Sequence, residues 1–165
     1  MTATADTVIR IVVYGTPGPQ GSKTFKGRNP RTGKAIMVES SKKVKPWREA
    51  VEGAALEAVN ALPGEVRRAF PLDGPIAGRF VFTIRKPASA PKRRRTWPIR
   101  YPDTSKLLRS TEDALTKAGV WADDARLVEF DRLAKVFPGE DPEALDRPGV
   151  VIELRQITDL SEAGQ

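Results

Sequence analysis

The 165 residues contain no cysteine and no histidine, and 28 Lys and Arg outweigh 21 Asp and Glu to leave a net charge of +7. The two absences exclude disulfide frameworks, zinc fingers, thiol catalysis, Ser-His-Asp triads and histidine-bound metals. Any chemistry must use Asp, Glu, Lys, Arg, Ser, Thr or Tyr, and the positive excess fits a polyanionic partner. The length predicts one domain over 1–165, with loose tails at about 1–7 and 158–165. No apolar run of about eighteen residues predicts a membrane span. The start MTATADTV lacks a signal-peptide layout, so a cytoplasmic location is expected.

In chain order, Val8 to Tyr14 is β-branched and alternates, which predicts a strand. GTPGPQG from Gly15 breaks it. Lys26 to Thr32 reads as a mobile basic hairpin tip with Asn29-Pro30 and Gly33 as turn signals, and Ala35 to Glu39 as its return strand. From Lys23 to Arg48 nine basic residues face only Glu39. Pro46 suits the first turn of a helix running to about Leu62, with Trp47, Val51, Ala54, Ala55, Ala58 and Val59 as its core side. Pro63-Gly64 ends it, and Glu65 to Pro75 is expected as loop. Ile76 to Lys86 is a second strand. Pro87 to Arg100, PASAPKRRRTWPIR, reads as an extended, flexible segment. In it Lys92, Arg93, Arg94 and Arg95 are candidates for phosphate contact, while Trp97 is expected to pack on the core. Farther on, Leu127 to Phe137 and Val150 to Ile157 read as strands, flanking an acidic loop from Pro138 to Gly149. Lys135 is a candidate for the substrate side. Five or so strands with two main helices give an α/β or α+β fold, a mixed sheet with helices packed on it.

Tyr101 to Leu127 carries most of the chemistry. Asp103 sits where a helix wants its N-cap. Leu107, Leu108, Thr111, Ala114, Leu115 and Ala118 form a buried stripe, and Gly119 marks a left-handed C-terminus. Asp123 and Asp124 follow. Two readings stand open on spacing alone. In the plainer one, Asp103 is only a cap and the acid pair a solvated turn. In the other, the carboxylates converge at a sheet edge around a hard divalent cation, which takes oxygen ligands and activates water.

The run DALTKAGVWADDA from Asp113, preceded by Asp103-Thr104-Ser105, Leu107 and Arg109, resembles the signature of the RusA family. These are Holliday-junction resolvases, crossover-junction endodeoxyribonucleases common on phages and prophages. The loop after the first strand is also similar, with Gln20, Ser22, Lys23 and Phe25 in the matching places. The resemblance implies a Mg2+-dependent enzyme that resolves four-way DNA junctions by symmetric nicking in recombination and repair, working as a homodimer. Asp103 and Asp124 match the first and third metal-binding aspartates. Ser105 replaces the second, and Arg109 stands where the family has an assisting lysine. Arginine keeps that charge but gives up no proton. Asp123 or Glu112 would then compensate as a ligand, or Ser105 would ligate through water, or the chain would be a weakly active or non-catalytic junction-binding relative. Lys23, Lys26, Arg28, Lys92 to Arg95 and Lys106 are the implied DNA contacts.

Overall fold

The computed structural model describes residues 7–21, 23–39 and 42–158, without the side chains of 23–25 and 37–39. The elements run β1 (Thr7–Tyr14), β2 (Lys23–Arg28), β3 (Ala35–Glu39), α1 (Val44–Asn60), α2 (Gly64–Arg67), β4 (Ile76–Thr83), α3 (Thr104–Lys117), β5 (Leu127–Val136) and β6 (Gly149–Gln156). The fold is α+β. One sheet is four-stranded and mixed, in the order β1-β6-β4-β5, and β2 and β3 make a separate two-stranded hairpin. Strands β1, β6 and β4 pair antiparallel, whereas β5 lies parallel to β4 and forms an edge.

Register divides the two faces by residue type. Ile11, Ile152, Phe80 and Leu133 are successive partners across the sheet, and they face the helices. One residue along, Arg10, Glu153, Arg79 and Arg132 line up on the opposite face. There Glu153 sits 3.3 Å from Arg10 and 3.9 Å from Arg79. A period of two places apolar side chains in the core and charges outside. Trp47, Val51 and Ala55 of α1, with Leu107, Ala114 and Leu115 of α3, close the core over the sheet. The two helices are joined by the Trp47 indole N–H, which donates to Thr111 Oγ1 at 3.1 Å.

Both long helices lie where their patterns predict. The predicted loop from Glu65 to Pro75 differs, because it contains α2. Glu65 at its start and Arg67 at its end complement the dipole of this single turn. At the C-terminus of α3, Gly119 takes φ +75°, and its N–H and that of Val120 reach the carbonyls of Thr116 and Leu115. This is a Schellman stop, open to glycine because the left-handed region costs it nothing.

The connection β4–α3–β5 decides where the candidate residues go. A parallel crossover starts its helix near the C-terminal end of the first strand and returns it to the N-terminal end of the second. Residue 103 therefore lies at one end of β5 and residue 124 at the other.

Candidate active site

At the first end, Asp103 occupies the N-cap position with extended backbone (φ −69°, ψ 133°), but its carboxylate makes no capping bond. Only its backbone carbonyl serves the helix, accepting from the N–H groups of Lys106 and Leu107 at 3.1 Å each. The cap-only reading thus fails for this side chain. The carboxylate is more than half exposed and lies 3.7 Å from the Lys106 ammonium. Ser105 and Arg109 are exposed along the same helix.

Lys135, near the end of β5, braces this corner. Its Nζ donates to the carbonyls of Arg100 and Pro102 at 2.8 and 2.7 Å. Burial lowers its pKa, and the nearby Asp103 charge opposes that shift. It is directed at backbone rather than outward, a role invisible in a strand pattern because its partners lie over thirty residues upstream.

The loop 15–21 is stitched to the same corner, not left as a free turn. Gln20 N–H donates to the Lys106 carbonyl at 2.9 Å, and Ser110 Oγ donates to the Gly18 carbonyl at 2.6 Å. Arg48 donates to the Gln20 side chain and to Asp113. Gly18 is required by contact, since a Cβ there would meet the Lys43 carbonyl oxygen at 2.3 Å. The loop leads into the basic hairpin. There Lys26 and Arg28 are exposed, and Arg28 Nη1 donates to the Gly33 carbonyl at 3.0 Å. The tip is closed by Asn29, whose N–H and carbonyl bond Lys34 and Gly33, and whose side chain accepts from Arg31 N–H at 2.8 Å. Ser22 and the side chains of Lys23 and Phe25 lie outside the described residues.

At the second end the acid pair splits by role. Asp123 caps the 3-10 turn Asp124–Arg126, accepting from Ala125 N–H at 2.7 Å. That bond, then the hydrogen bond with Asp124, lowers its pKa. Asp124 moves the other way, raised by burial and then by its bond to and repulsion from Asp123. Glu112, on the facing side of α3, is raised to about 7 by burial, then by Asp124 and Asp113, with Arg109 opposing. This is a corner where negative charge is crowded and undercompensated.

The two ends do not meet within one chain. Asp103 precedes the first turn of α3, whereas Asp124 lies by Glu112 and Asp113, roughly 14 Å farther along the helix axis. Their electrostatic neighbours differ: Lys106 and Lys135 for the first, Asp123, Asp113 and Glu112 for the second. Among the described residues no group of three or more acids is arranged to hold a metal ion. Among the described residues the carboxylates of the two ends therefore belong to separate clusters.

The segment expected from its prolines to be flexible is tied to the acidic loop at Arg95 and Thr96. Arg95 pairs with Asp141 at 2.7 Å, and Thr96 N–H donates to Glu140 at 2.7 Å. Asp141 also takes both Arg132 nitrogens, at 2.9 and 2.7 Å. Arginine bonding pushes its carboxyl well below the usual range. Thus the acidic loop anchors the basic segment, a pairing hidden by a separation of more than forty residues. Lys92, Arg93 and Arg94 are exposed and make no ion pair among the described residues. Trp97 is 50% exposed rather than packed in the core, and the Arg95 guanidinium stacks 4.1 Å from its ring centre.

No helix among the described residues is long and apolar enough to cross a membrane. No individually curated protein matches the chain. The family model for endodeoxyribonuclease RusA matches residues 15–155, from the end of β1 through all but the last residue of β6. With the basic corner, the uncapped aspartate and the DALTKAGVWADDA run all inside that match, the chain belongs to the RusA endodeoxyribonuclease family.

Proposed function

We propose that the protein is a nuclease of branched DNA that nicks four-way junctions symmetrically, as a homodimer that requires Mg2+. The observation that carries this reading is the Asp103 carboxylate. It is free of capping, stands beside two lysines, and lies in a chain whose residues 15–155 match an endodeoxyribonuclease family. Lys92, Arg93, Arg94 and the hairpin cations would draw phosphates, and such contacts position a backbone without reading sequence.

The homodimer accounts for the separation of the acids. Strand β5 is a sheet edge with Val128 and Phe130 exposed on it. Register skips at Val128 and Asp131 favour side-chain packing there over a continued ladder. A two-fold axis beside this strand sets the Asp124 end of one chain against the Asp103 end of the other, because two-fold pairing of an edge is antiparallel. Asp103 and Arg109 from one chain, with Asp124 from the other, then compose each site.

A second reading, a junction-binding relative without turnover, is favoured by Ser105 in place of an acid and by the absence of an acid triad among the described residues. One cleavage assay on a synthetic four-way junction separates the two across a Mg2+ titration. The nuclease reading expects Mg2+-dependent paired nicks, loss of more than a hundredfold in Asp103→Asn and in Asp124→Asn, and partial recovery when the two inactive variants are mixed. Recovery requires a site built from two chains, since each mixed dimer then keeps one intact set. Binding without nicks at any Mg2+ concentration would establish the second reading, and Ser105→Asp would then be expected to confer cutting.

A further inference from the structure

The segment between β4 and α3 walls a cavity of about 330 Å³, separate from both acid corners. Its lining includes Pro91, Trp97, Pro98, Tyr101 and Phe137, with Arg85 and Arg100 at the same opening. Phe137 is buried and forms a fixed wall, whereas Trp97 and Tyr101 are 50% and 68% exposed. Large aromatic surface is rarely left open without a role. This surface is also held rigid. Arg95, fixed to Asp141, stacks on Trp97, Thr96 is bonded to Glu140, and the Arg100 carbonyl is held by Lys135.

Charge selects the occupant. Arg85 and Arg100 are among its lining residues and no acid is, and Lys92, Arg93 and Arg94, which make no ion pair among the described residues, lie between the lining residues Pro91 and Thr96 in sequence. A flat π-face bordered by guanidinium groups suits a planar heterocycle on an anionic backbone, since bases stack on aromatic side chains while cations track the phosphates. The cavity size also suits one small aromatic group. Tyr101 stands two residues before Asp103 in the chain.

We propose that this cavity receives one unpaired nucleobase, stacked on Trp97 and Tyr101, and so registers a DNA strand where base pairing is interrupted. The nuclease reading above supplies the identity of the polymer, and the test keeps the two apart. The intact protein is photo-crosslinked to a single-stranded oligonucleotide carrying 5-iodouracil, and the attached peptide is mapped by mass spectrometry. Attachment is expected at Trp97 or Tyr101. By anisotropy, Trp97→Ala is expected to weaken binding to this strand about tenfold and binding to plain duplex hardly at all, while Trp97→Phe, which keeps a ring, retains most of the affinity. Attachment only outside residues 84–101 and Phe137, or an unchanged affinity in Trp97→Ala, overturns the proposal. Wild-type cutting of a junction is scored separately. Cutting without attachment defeats the base site alone, and attachment at Trp97 without cutting supports the base site while defeating the nuclease reading.

Discussion

Asp103 and Glu112 lie on one helix and meet opposite electrostatic conditions. Asp103 is open to solvent with Lys106 and Lys135 near it, so it is suited to hold or orient a cationic or phosphate-bound partner. Glu112 is part-buried among Asp124 and Asp113 and titrates near neutrality, at about 7. A carboxyl whose pKa is raised by folding stabilises the fold while protonated, and that contribution is lost as pH climbs through the raised value. Glu112→Gln should therefore melt like the wild type near pH 4.5 and above it at pH 8.5, by on the order of 1–2 kcal/mol. Thermal unfolding at the two pH values checks this, and a pH-independent difference would mean that Glu112 is not strained by its neighbours. The Ser105 replacement acts at the same scale. Ser105 is neutral and adds no negative charge to a corner where Asp103 faces Lys106 and Lys135.

At the level of elements, the loop 138–148 works as a clamp. Asp141 receives Arg95 and Arg132, Glu143 receives Arg79 and Arg132, and Leu145 N–H donates to Thr83 Oγ1 at 2.8 Å. One acidic loop thereby joins β4, β5 and the basic segment. The Asp141 side chain is only 2% exposed, so screening is weak, and its removal leaves Arg95 without its carboxylate and Arg132 with Glu143 alone. Asp141→Asn should cost about 2–4 kcal/mol in urea unfolding at neutral pH. Because the Asp141 pKa is depressed, its contribution is complete above about pH 4 and fades below it. The difference between variant and wild type should therefore shrink in acid. A loss that persists undiminished at low pH would assign the effect to shape rather than charge.

For the whole molecule, the cations that matter are those with no ion-pair partner among the described residues. Arg95 is spent internally on Asp141 and Trp97, whereas Lys92, Arg93 and Arg94 stay outside. Replacing those three by alanine should weaken binding to junction and duplex alike and lower the slope of log Kd against log salt by roughly 2–3. An unchanged slope would make them a solvated face. Much of this protein could be read from its residues in a row. Missing histidine and cysteine confined the chemistry to carboxylates and cations, alternation and helical stripes located the long elements, and the Asp103 to Asp124 stretch carried the family resemblance. These are local or compositional properties, so order along the chain suffices to express them. Three-dimensional folding alone decided the rest: that Asp103 leaves its helix uncapped, that Lys135 braces it, that an acidic loop rigidifies a proline-rich segment, and that Trp97 opens onto a cavity. It also put Asp103 and Asp124 at opposite ends of β5, because a parallel crossover returns the chain to the far end of the next strand. Each of these depends on pairs distant in sequence, and such pairs leave no periodic trace for a linear reading to find.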